Sequence, residues 1–492
     1  MFVGAIQPLA DKRRSDGFDA VISTQPVAQA IGALARRPAS ILLVGDDQPG
    51  EQNQPWYVPA RRAKLYRWMP NQRERFASDL LWGDLDGDLV PDVPVGRIPA
   101  RTPQQAARIA AKILAYERRS PRPSDLRLLA WAGSPGYSQA VDALATRFLL
   151  SSLRRRAPAW ATPWIISADQ SSVLCGWPPD QPRLFNEQFR RGGGFAALIG
   201  HGAAERFNSM AFGGKPIRYT AETAREALLE GEPGAPLLIL ACHCGDFALP
   251  RDCLAESLLR MPAGPVAVLA ATTESHPLTN YFSGTCLLRT LDRKHARLGA
   301  LFLAVQKQAM KVRSLLMERI LKDVEGKLEE EIDVAKLRRD QILMYCLLGD
   351  PATRLRLPEP LHGKIRRRPD GGWNWQVHKP KGATALLVGL RPANPEASQA
   401  AGALTREQAN RAFHAANAAF AFRSLPGRSA NEPWQGTVKQ PGLLRFVALG
   451  KHRLYAAAIV LGPPETQPAR TPSAAGTSAP AAGKRPAGSP NR

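Results

Sequence analysis

Short, wholly apolar segments alternate with amphipathic segments along much of the chain, and this alternation constrains the fold more than any other feature. PLLILACHCG (236–245) and FAALIGHG (195–202) contain the apolar runs of buried strands, and QQAARIAAKILAYERR (104–119) carries its large apolar residues at helical spacing. Strands that alternate with helices form βαβ units, which build a mainly parallel sheet with helices on both faces. We therefore predict an α/β fold.

Changes in composition divide the chain into four segments. The Pro- and Ser-rich stretch 120–125 interrupts the pattern, so we predict an N-terminal α/β subdomain over 1–125 and a second α/β subdomain over 126–357. Residues 358–463 contain short apolar segments around an Ala-rich stretch, which predicts a small β-rich domain with one helix. Residues 464–492 are rich in Pro and Ala with almost no large apolar side chains, which predicts a disordered tail.

Several individual elements follow from the same patterns. We predict strands at 17–24 and 39–47 and helices at 27–37 and 139–156. The long charged stretch 310–350 has helical apolar spacing with charges on the opposite side, which predicts a solvated helical pair.

The composition excludes several classes of protein. No apolar run approaches the roughly 18 residues of a membrane-spanning helix, so no membrane span is expected. The first charges follow the short apolar start instead of preceding it, which is not typical of a signal peptide. We expect a cytoplasmic protein, with export by another route left open. Six cysteines in 492 residues do not resemble a disulfide framework.

The net charge of +23 raises the question of an acidic partner. Most of this charge is scattered arginine, and the densest cluster is KIRRR (364–368). No aromatic-rich platform for nucleic acid accompanies it. We therefore do not expect nucleic acid as a partner. The oligomeric state is left open.

Two of the predicted strands end in reactive side chains. FAALIG is followed by His201 and LLILA by Cys242, and the carboxyl ends of parallel strands meet at one edge of a sheet. A thiolate nucleophile needs a base or a positive partner, and imidazole is the usual one. Gly202 permits close approach of a substrate backbone, and its N–H, with that of Cys242, is placed to hold a developing oxyanion.

The motifs that carry these residues resemble those of the gingipain family of cysteine peptidases, within the caspase-like clan. They are IGHGAAERF (199–207), ACHCGDF (241–247) and LLGDPATRL (347–355), and the resemblance covers roughly residues 8–357. It implies open, mainly parallel sheets in two subdomains, with His201 as the catalytic histidine and Cys242 as the nucleophile. It also implies a protein or peptide substrate, cleaved through an acyl-enzyme with no cofactor.

The resemblance also points to residues that bind substrate. The walls of the substrate pocket fall at Ile199, Leu240, Ser275 and His276. Arg-directed members of the family have an acid at the base of the pocket, but the matching position here falls near Gln139. Other acids are candidates to supply that charge: Asp142, Asp246 and Glu274.

Two metal sites are alternatives to be tested. DLDGDLVPD spaces four carboxylates around a Gly, which resembles a calcium loop without the usual acid at its twelfth position; the residues are Asp84, Asp86, Asp88 and Asp92. A structural calcium ion and a plain acidic turn both stay open. A zinc site would draw on Cys242, Cys244, Cys253 and either His201 or His243, but its C-x-C spacing is unlike a zinc knuckle.

Three functions follow from these patterns. The first is a cysteine endopeptidase with a Cys/His dyad. The second is an inactive or regulatory caspase-like scaffold that binds a protein or nucleic-acid partner. The third is a nucleic-acid-associated protein driven by its charge.

Overall fold

The structure is a computed structural model that describes residues 1–66, 72–134, 151, 155–291, 295–313, 333–392 and 405–462. The helices within these ranges are α1 (Val3–Ser15), α2 (Val27–Gly32), α3 (Pro103–Arg118), α4 (Gln181–Arg190), α5 (Ala221–Leu228), α6 (Leu254–Arg260), α7 (Pro277–Thr290), α8 (Leu298–Lys311), α9 (Val334–Met344) and α10 (Arg406–Ala418). Of the helices in the described parts of the chain, none is long and apolar enough to cross a membrane.

An eight-stranded sheet forms the centre of the molecule. In spatial order its strands are β1 (Ile41–Val44), β4 (Val95–Ile98), β13 (Tyr345–Leu348), β12 (Val268–Ala271), β11 (Leu237–Leu240), β7 (Phe195–Ile199), β5 (Arg127–Ala132) and β6 (Thr162–Ser167). Neighbouring strands run parallel except β12 and β13, which are antiparallel. The prediction of a mainly parallel α/β fold is therefore confirmed. Strands from both sides of residue 125 belong to this one sheet.

Small antiparallel sheets surround the central one. β2 (Arg61–Lys64) pairs with β3 (Arg75–Ser78), and β8 (His201–Ala203), β9 (Arg206–Phe212) and β10 (Lys215–Thr220) form a three-stranded sheet directly after β7. The central strands β11 and β12 are apolar on both faces, and all four residues of each are buried.

The segment after residue 357 is β-rich, as predicted. It contains β14 (Glu359–Pro360), β15 (Gly363–Arg367), β16 (Trp373–Val377), β17 (Ala383–Pro392), β18 (Arg423–Ser424), β19 (Arg428–Ser429), β20 (Gln435–Val438), β21 (Gly442–Gly450) and β22 (Leu454–Leu461). Its own core includes the buried side chains of Trp375, Leu386 and Phe446. The four domain boundaries drawn from composition stay predictions, and the tail at 464–492 lies outside the described residues.

Some predicted elements differ from the observed ones. Residues 17–24 form no strand, because no strand in the described part of the chain pairs with them, and Val21 within them is 67% exposed. The helix predicted at 27–37 is shortened to α2. In the charged stretch 310–350 the last residues form β13 instead of continuing the helix. Most of the helix predicted at 139–156, and residues 314–332 of the predicted helical pair, lie outside the described residues.

Candidate active site

The register of two neighbouring strands brings the predicted dyad to one edge of the sheet. β7 and β11 run parallel with Ile199 opposite Leu240, and the N–H of Gly200 donates to the carbonyl of Leu240 at 3.1 Å. His201 and Cys242 each lie two residues beyond this last pair. The strands therefore bring residues 201 and 242 to the same sheet edge, and the pairing of the imidazole with the thiol stays a prediction.

Gly202 lies against the turn that carries the thiol. A Cβ atom at this position would lie 2.6 Å from the carbonyl oxygen of Cys242 and 2.6 Å from the Sγ of Cys244. Real Cβ contacts are longer, so a side chain at 202 would push β8 and the Cys242 turn apart. The absence of a side chain lets the segment that begins with His201 pack directly on the backbone of Cys242.

The Cys242 thiol contacts the turn that follows β12. The backbone N–H of Ser275 donates to Cys242 Sγ at 3.3 Å, the Ser275 Oγ lies 3.8 Å from Sγ, and Sγ lies 3.5 Å from the Ser275 carbonyl oxygen. Burial raises the pKa of the Cys242 thiol above its ordinary value, and the hydrogen bonds from Ser275 oppose that rise. The site thus holds a protected thiol with donors placed to stabilise its anion.

His243 follows the thiol but is engaged elsewhere. Its φ of 59° is left-handed, a strained conformation for a residue with a side chain. Its Nε2 lies 3.1 Å from Glu274 Oε1, and its Nδ1 lies 3.8 Å from Asp246 Oδ2. Burial opposes the charged form, but the hydrogen bonds that the His243 ring donates to these two acids outweigh it and raise the pKa of His243 to about 9.

The same contacts define Glu274 and Asp246. Burial favours the neutral acid, but the hydrogen bond from His243 prevails and lowers the pKa of Glu274 to about 2. Asp246 is fully buried and accepts a 2.8 Å bond from Arg73. Both acids proposed as sources of pocket charge therefore have cationic partners. Gln139 and Asp142, the other two positions, lie outside the described residues.

The turn after β11 differs from what the sequence predicts. If LLILACHC continued as one strand, its alternation would point His243 away from Cys242, but β11 ends at Leu240, so residues 241–244 are not a strand and alternation does not apply to them. The preference for His201 over His243 as the base stays a prediction. It is now supported by the carboxylates that hold His243.

The four residues predicted to bind substrate all lie at or beside the strand ends. Ile199 is half-buried, Leu240 is buried at the end of β11, and Ser275 is buried beside the thiol. His276 is buried and caps α7, since its Nδ1 accepts a 3.1 Å bond from the N–H of Leu278. Their role as pocket walls stays a prediction.

The second thiol of the motif is part of the core. Cys244 is fully buried, its Sγ lies 3.5 Å from the carbonyl oxygens of Ala203 and Arg206, and burial raises the pKa of its thiol far above the ordinary value. Within the described ranges, the residues named for zinc are not gathered into a cluster of ligand atoms. The one such cluster found there is Asp84, Asp86 and Asp88, whose ligand atoms lie within 4.8 Å of one another.

The acidic loop is ordered by its own backbone. Asp84 accepts bonds from the N–H groups of Gly87 and Leu89, and Asp88 accepts one from Val90. Asp92 is not part of the cluster of three; it pairs with Arg37 at 3.0 Å. The calcium loop and the acidic turn both stay open.

The polar residues around Cys242 and His243 come from distant parts of the chain, and the sequence does not point to them. Arg73 lies 170 positions before His243, and Asn280 and Tyr345 reach the thiol only through Ser275. No local motif marks these residues. A buried Asn in the first turn of an apolar helix is the one signal that the sequence offers.

Comparison with known proteins places this chain in a family. The model of peptidase family C25 matches residues 1–356. No curated protein matches the chain. A solved structure described only as a protease is similar over 94% of this chain and 95% of its own, at 13% identity with a TM-score of 0.53, which shows the fold.

Two gingipain structures are also similar. The Arg-specific cysteine proteinase gingipain R matches 89% of this chain and 87% of its own at 15% identity, with a TM-score of 0.48. The complex of the RgpB pro- and mature domains from Porphyromonas gingivalis matches 89% of both chains at 14% identity, with a TM-score of 0.48.

Proposed function

The chain belongs to peptidase family C25 and is therefore a cysteine-type peptidase, and we propose that it is an endopeptidase that works through Cys242 and His201. The observation that carries this proposal is the pairing of β7 with β11. This pairing supports the proposal because the chain positions of His201 and Cys242 follow the paired strand ends, next to a glycine that no side chain could replace without a clash.

The chemistry follows from these groups. His201 accepts the Cys242 proton, and the thiolate attacks the carbonyl carbon of the scissile peptide bond. The tetrahedral oxyanion is stabilised by backbone N–H groups, for which we propose Gly202 and Cys242. Collapse of this intermediate breaks the C–N bond, and the imidazolium of His201 gives its proton to the leaving amine. Water then hydrolyses the thioester and restores the thiol.

The environment of the thiol explains why it needs this help. The partly buried Cys242 thiol is mostly protonated near neutral pH, because burial disfavours its anion. Hydrogen bonds from Ser275 offset part of the free energy needed to ionise the thiol. In the proposed mechanism, His201 accepts the proton that the thiol loses. His243 is a poorer base, because its acids keep it protonated up to about pH 9.

A peptide-library cleavage assay tests the proposal. We expect the wild-type chain to cleave internal peptide bonds and Cys242→Ala to lose turnover by about 10³-fold or more, with an unchanged melting temperature. A peptidyl thiol-reactive probe should label the Cys242 peptide in the wild-type chain alone.

Two buried cysteines provide matched controls. Cys244→Ala and Cys175→Ala each remove a buried thiol, and both should keep turnover. A folded wild-type chain that cleaves nothing in the library and is not labelled by the probe would favour the inactive scaffold. Full turnover in Cys242→Ala would contradict the assignment of the nucleophile.

A further inference from the structure

A chain of buried polar side chains leads from the core to the candidate nucleophile. Asn280, in the first turn of α7, donates from Nδ2 to Ser275 Oγ at 2.9 Å. The Asn280 Oδ1 accepts two bonds, from the hydroxyl of Tyr345 at 2.6 Å and from the Nε2 of Gln341 at 3.0 Å. All four residues are at most 7% exposed. Burial of so many polar groups is costly unless each is paired, so a network of this kind has one preferred arrangement.

The network determines which way the Ser275 hydroxyl donates. Tyr345 and Gln341 occupy the carbonyl oxygen of Asn280, which leaves the Asn280 amide N–H to face Ser275. The Ser275 oxygen then acts as acceptor toward Asn280. Its own hydrogen then has two acceptors within reach, Cys242 Sγ at 3.8 Å and the Tyr345 hydroxyl oxygen, and an ionised sulfur is the stronger of the two. Together with the Ser275 backbone N–H at 3.3 Å, this gives the sulfur two donors from one residue.

Ser275 also suits both protonation states of the thiol. In the neutral state the S–H can donate to the Ser275 carbonyl oxygen, at 3.5 Å. In the ionised state the N–H and the hydroxyl donate to the sulfur instead. Ser275 directly precedes the residue that caps α7, so the sulfur lies near the N-terminus of a 14-residue helix, where the dipole also favours an anion.

We propose that Asn280 is a positioning residue which, held by Tyr345 and Gln341, orients Ser275 as a donor to the Cys242 thiolate. This inference rests on the proposed function, in which Cys242 is the nucleophile. It gives Ser275 a role in preparing the thiolate, besides its predicted role as a pocket wall. Asn280 itself acts only through Ser275.

The pH dependence of Cys242 alkylation by iodoacetamide tests the inference without any peptide substrate. The full chain is treated at each pH, and the modified Cys242 peptide is quantified by mass spectrometry. The midpoint of the rate profile reports ionisation of the thiol, and the plateau at high pH reports access. We expect Ser275→Ala and Asn280→Ala to raise the midpoint by about one pH unit at an unchanged plateau, because hydrogen bonds to a charged group are lost.

The controls separate this role from packing. Ser283→Ala removes another buried hydroxyl, which Gln341 contacts at 3.2 Å, and should leave the midpoint unchanged. Ser275→Thr keeps a hydroxyl at position 275 and should have the midpoint of the wild-type chain. If Asn280→Ala does not fold, Tyr345→Phe removes one donor to Asn280 and should raise the midpoint by a smaller amount. Unchanged midpoints in folded Ser275→Ala, or an equal rise in Ser283→Ala, would overturn the inference. A raised midpoint in a chain that cleaves no peptide would sustain the inference and refute the proposed function.

Discussion

The two histidines near the thiol differ in what surrounds them, and this difference decides their expected roles. His201 is an exposed residue at the start of β8, at the same sheet edge as Cys242. His243 lies between Glu274, Asp246 and Arg73. A base that transfers protons repeatedly needs a pKa near the working pH, whereas an imidazole bound between carboxylates keeps its proton.

Substitution of each histidine should therefore have different effects. We expect His201→Ala to lower kcat by about 10²–10⁴-fold, because proton transfer in the transition state is lost. His243→Gln should keep most of the turnover while it lowers stability. The measurement is kcat for one cleaved library peptide, with the melting temperature of each variant. Full activity in His201→Ala together with an inactive, folded His243→Gln would show that the imidazole was wrongly assigned.

At the scale of elements, an ion pair joins the turns after two neighbouring strands. His243 follows β11 and Glu274 follows β12, and the pair adds to the contact that Ser275 makes with Cys242. Its pH dependence has a defined sign. Because the pKa of His243 is raised, its protonated ring stabilises the fold fully below about pH 6.5, the ordinary pKa of histidine. This contribution is lost as the pH rises through about 9. The lowered pKa of Glu274 stabilises above about 4.5 and is lost as the pH falls through about 2.

Glu274→Gln should therefore lower the stability of the fold most between about pH 4.5 and pH 6.5, where both partners are charged. We expect it to lower the free energy of unfolding by about 1–2 kcal/mol at pH 5.5, a value reduced for partial solvent screening, and by much less at pH 9.5. Urea unfolding at the two pH values measures the difference. His452→Gln, which changes an exposed histidine, should be neutral at both. An equal loss at both pH values would mean that Glu274 stabilises by packing and not by charge.

The edge of the central sheet is closed by a helix from the C-terminal segment. The Asn417 side chain on α10 accepts the N–H of Ile165 on β6 at 2.8 Å and donates to the carbonyl oxygen of the same residue at 3.0 Å. It thus makes the two bonds that another strand would make. A side chain that satisfies both groups protects an otherwise open sheet edge.

Removal of this amide should be costly. We expect Asn417→Ala to lower the free energy of unfolding by roughly 2–4 kcal/mol, because a buried N–H and a buried C=O lose their partners. Urea unfolding measures it, with Asn431→Ala in an exposed turn as the control. A loss as small as that of the control would mean that water replaces the amide at this edge.

At the scale of the whole molecule, two buried arginines join distant parts of the fold. Arg97 is fully buried and pairs with Asp79 through two bonds of 2.6 and 2.7 Å. Arg13 links α1 to Asp350, at the end of β13, and to Glu117 on α3. These arginines connect distant segments of the chain, and their buried charges are balanced by acids that lie next to them.

The mechanism that we propose needs only a thiolate, an imidazole and backbone donors. We therefore expect EDTA to leave peptide turnover unchanged. The melting temperature, recorded in the same samples, decides whether the acidic loop binds calcium. A melting temperature that EDTA lowers in the wild-type chain but not in Asp86→Asn would identify a calcium loop, because an ion bound only to the folded state stabilises it. An unchanged melting temperature would identify an acidic turn. Loss of turnover that added zinc restores would contradict the mechanism.

The sequence by itself determined those features that depend on neighbours along the chain. The apolar runs of β7 and β11, the His-Gly and Cys that follow them, and the capped helix α3 are all local patterns. Because parallel strands present their carboxyl ends at one edge, two such runs were enough to predict that His201 and Cys242 meet. The β-rich C-terminal segment was likewise evident from its composition.

Only the tertiary structure decided which distant residues complete the site. The antiparallel pairing of β12 with β13 places Tyr345 behind Asn280, and the turn after β12 brings Ser275 to the thiol. Strand order and direction depend on how the whole chain packs, and hydropathy does not encode them. The same holds for residues 17–24, which are apolar enough for a strand but find no partner, since a strand is stable only beside another one.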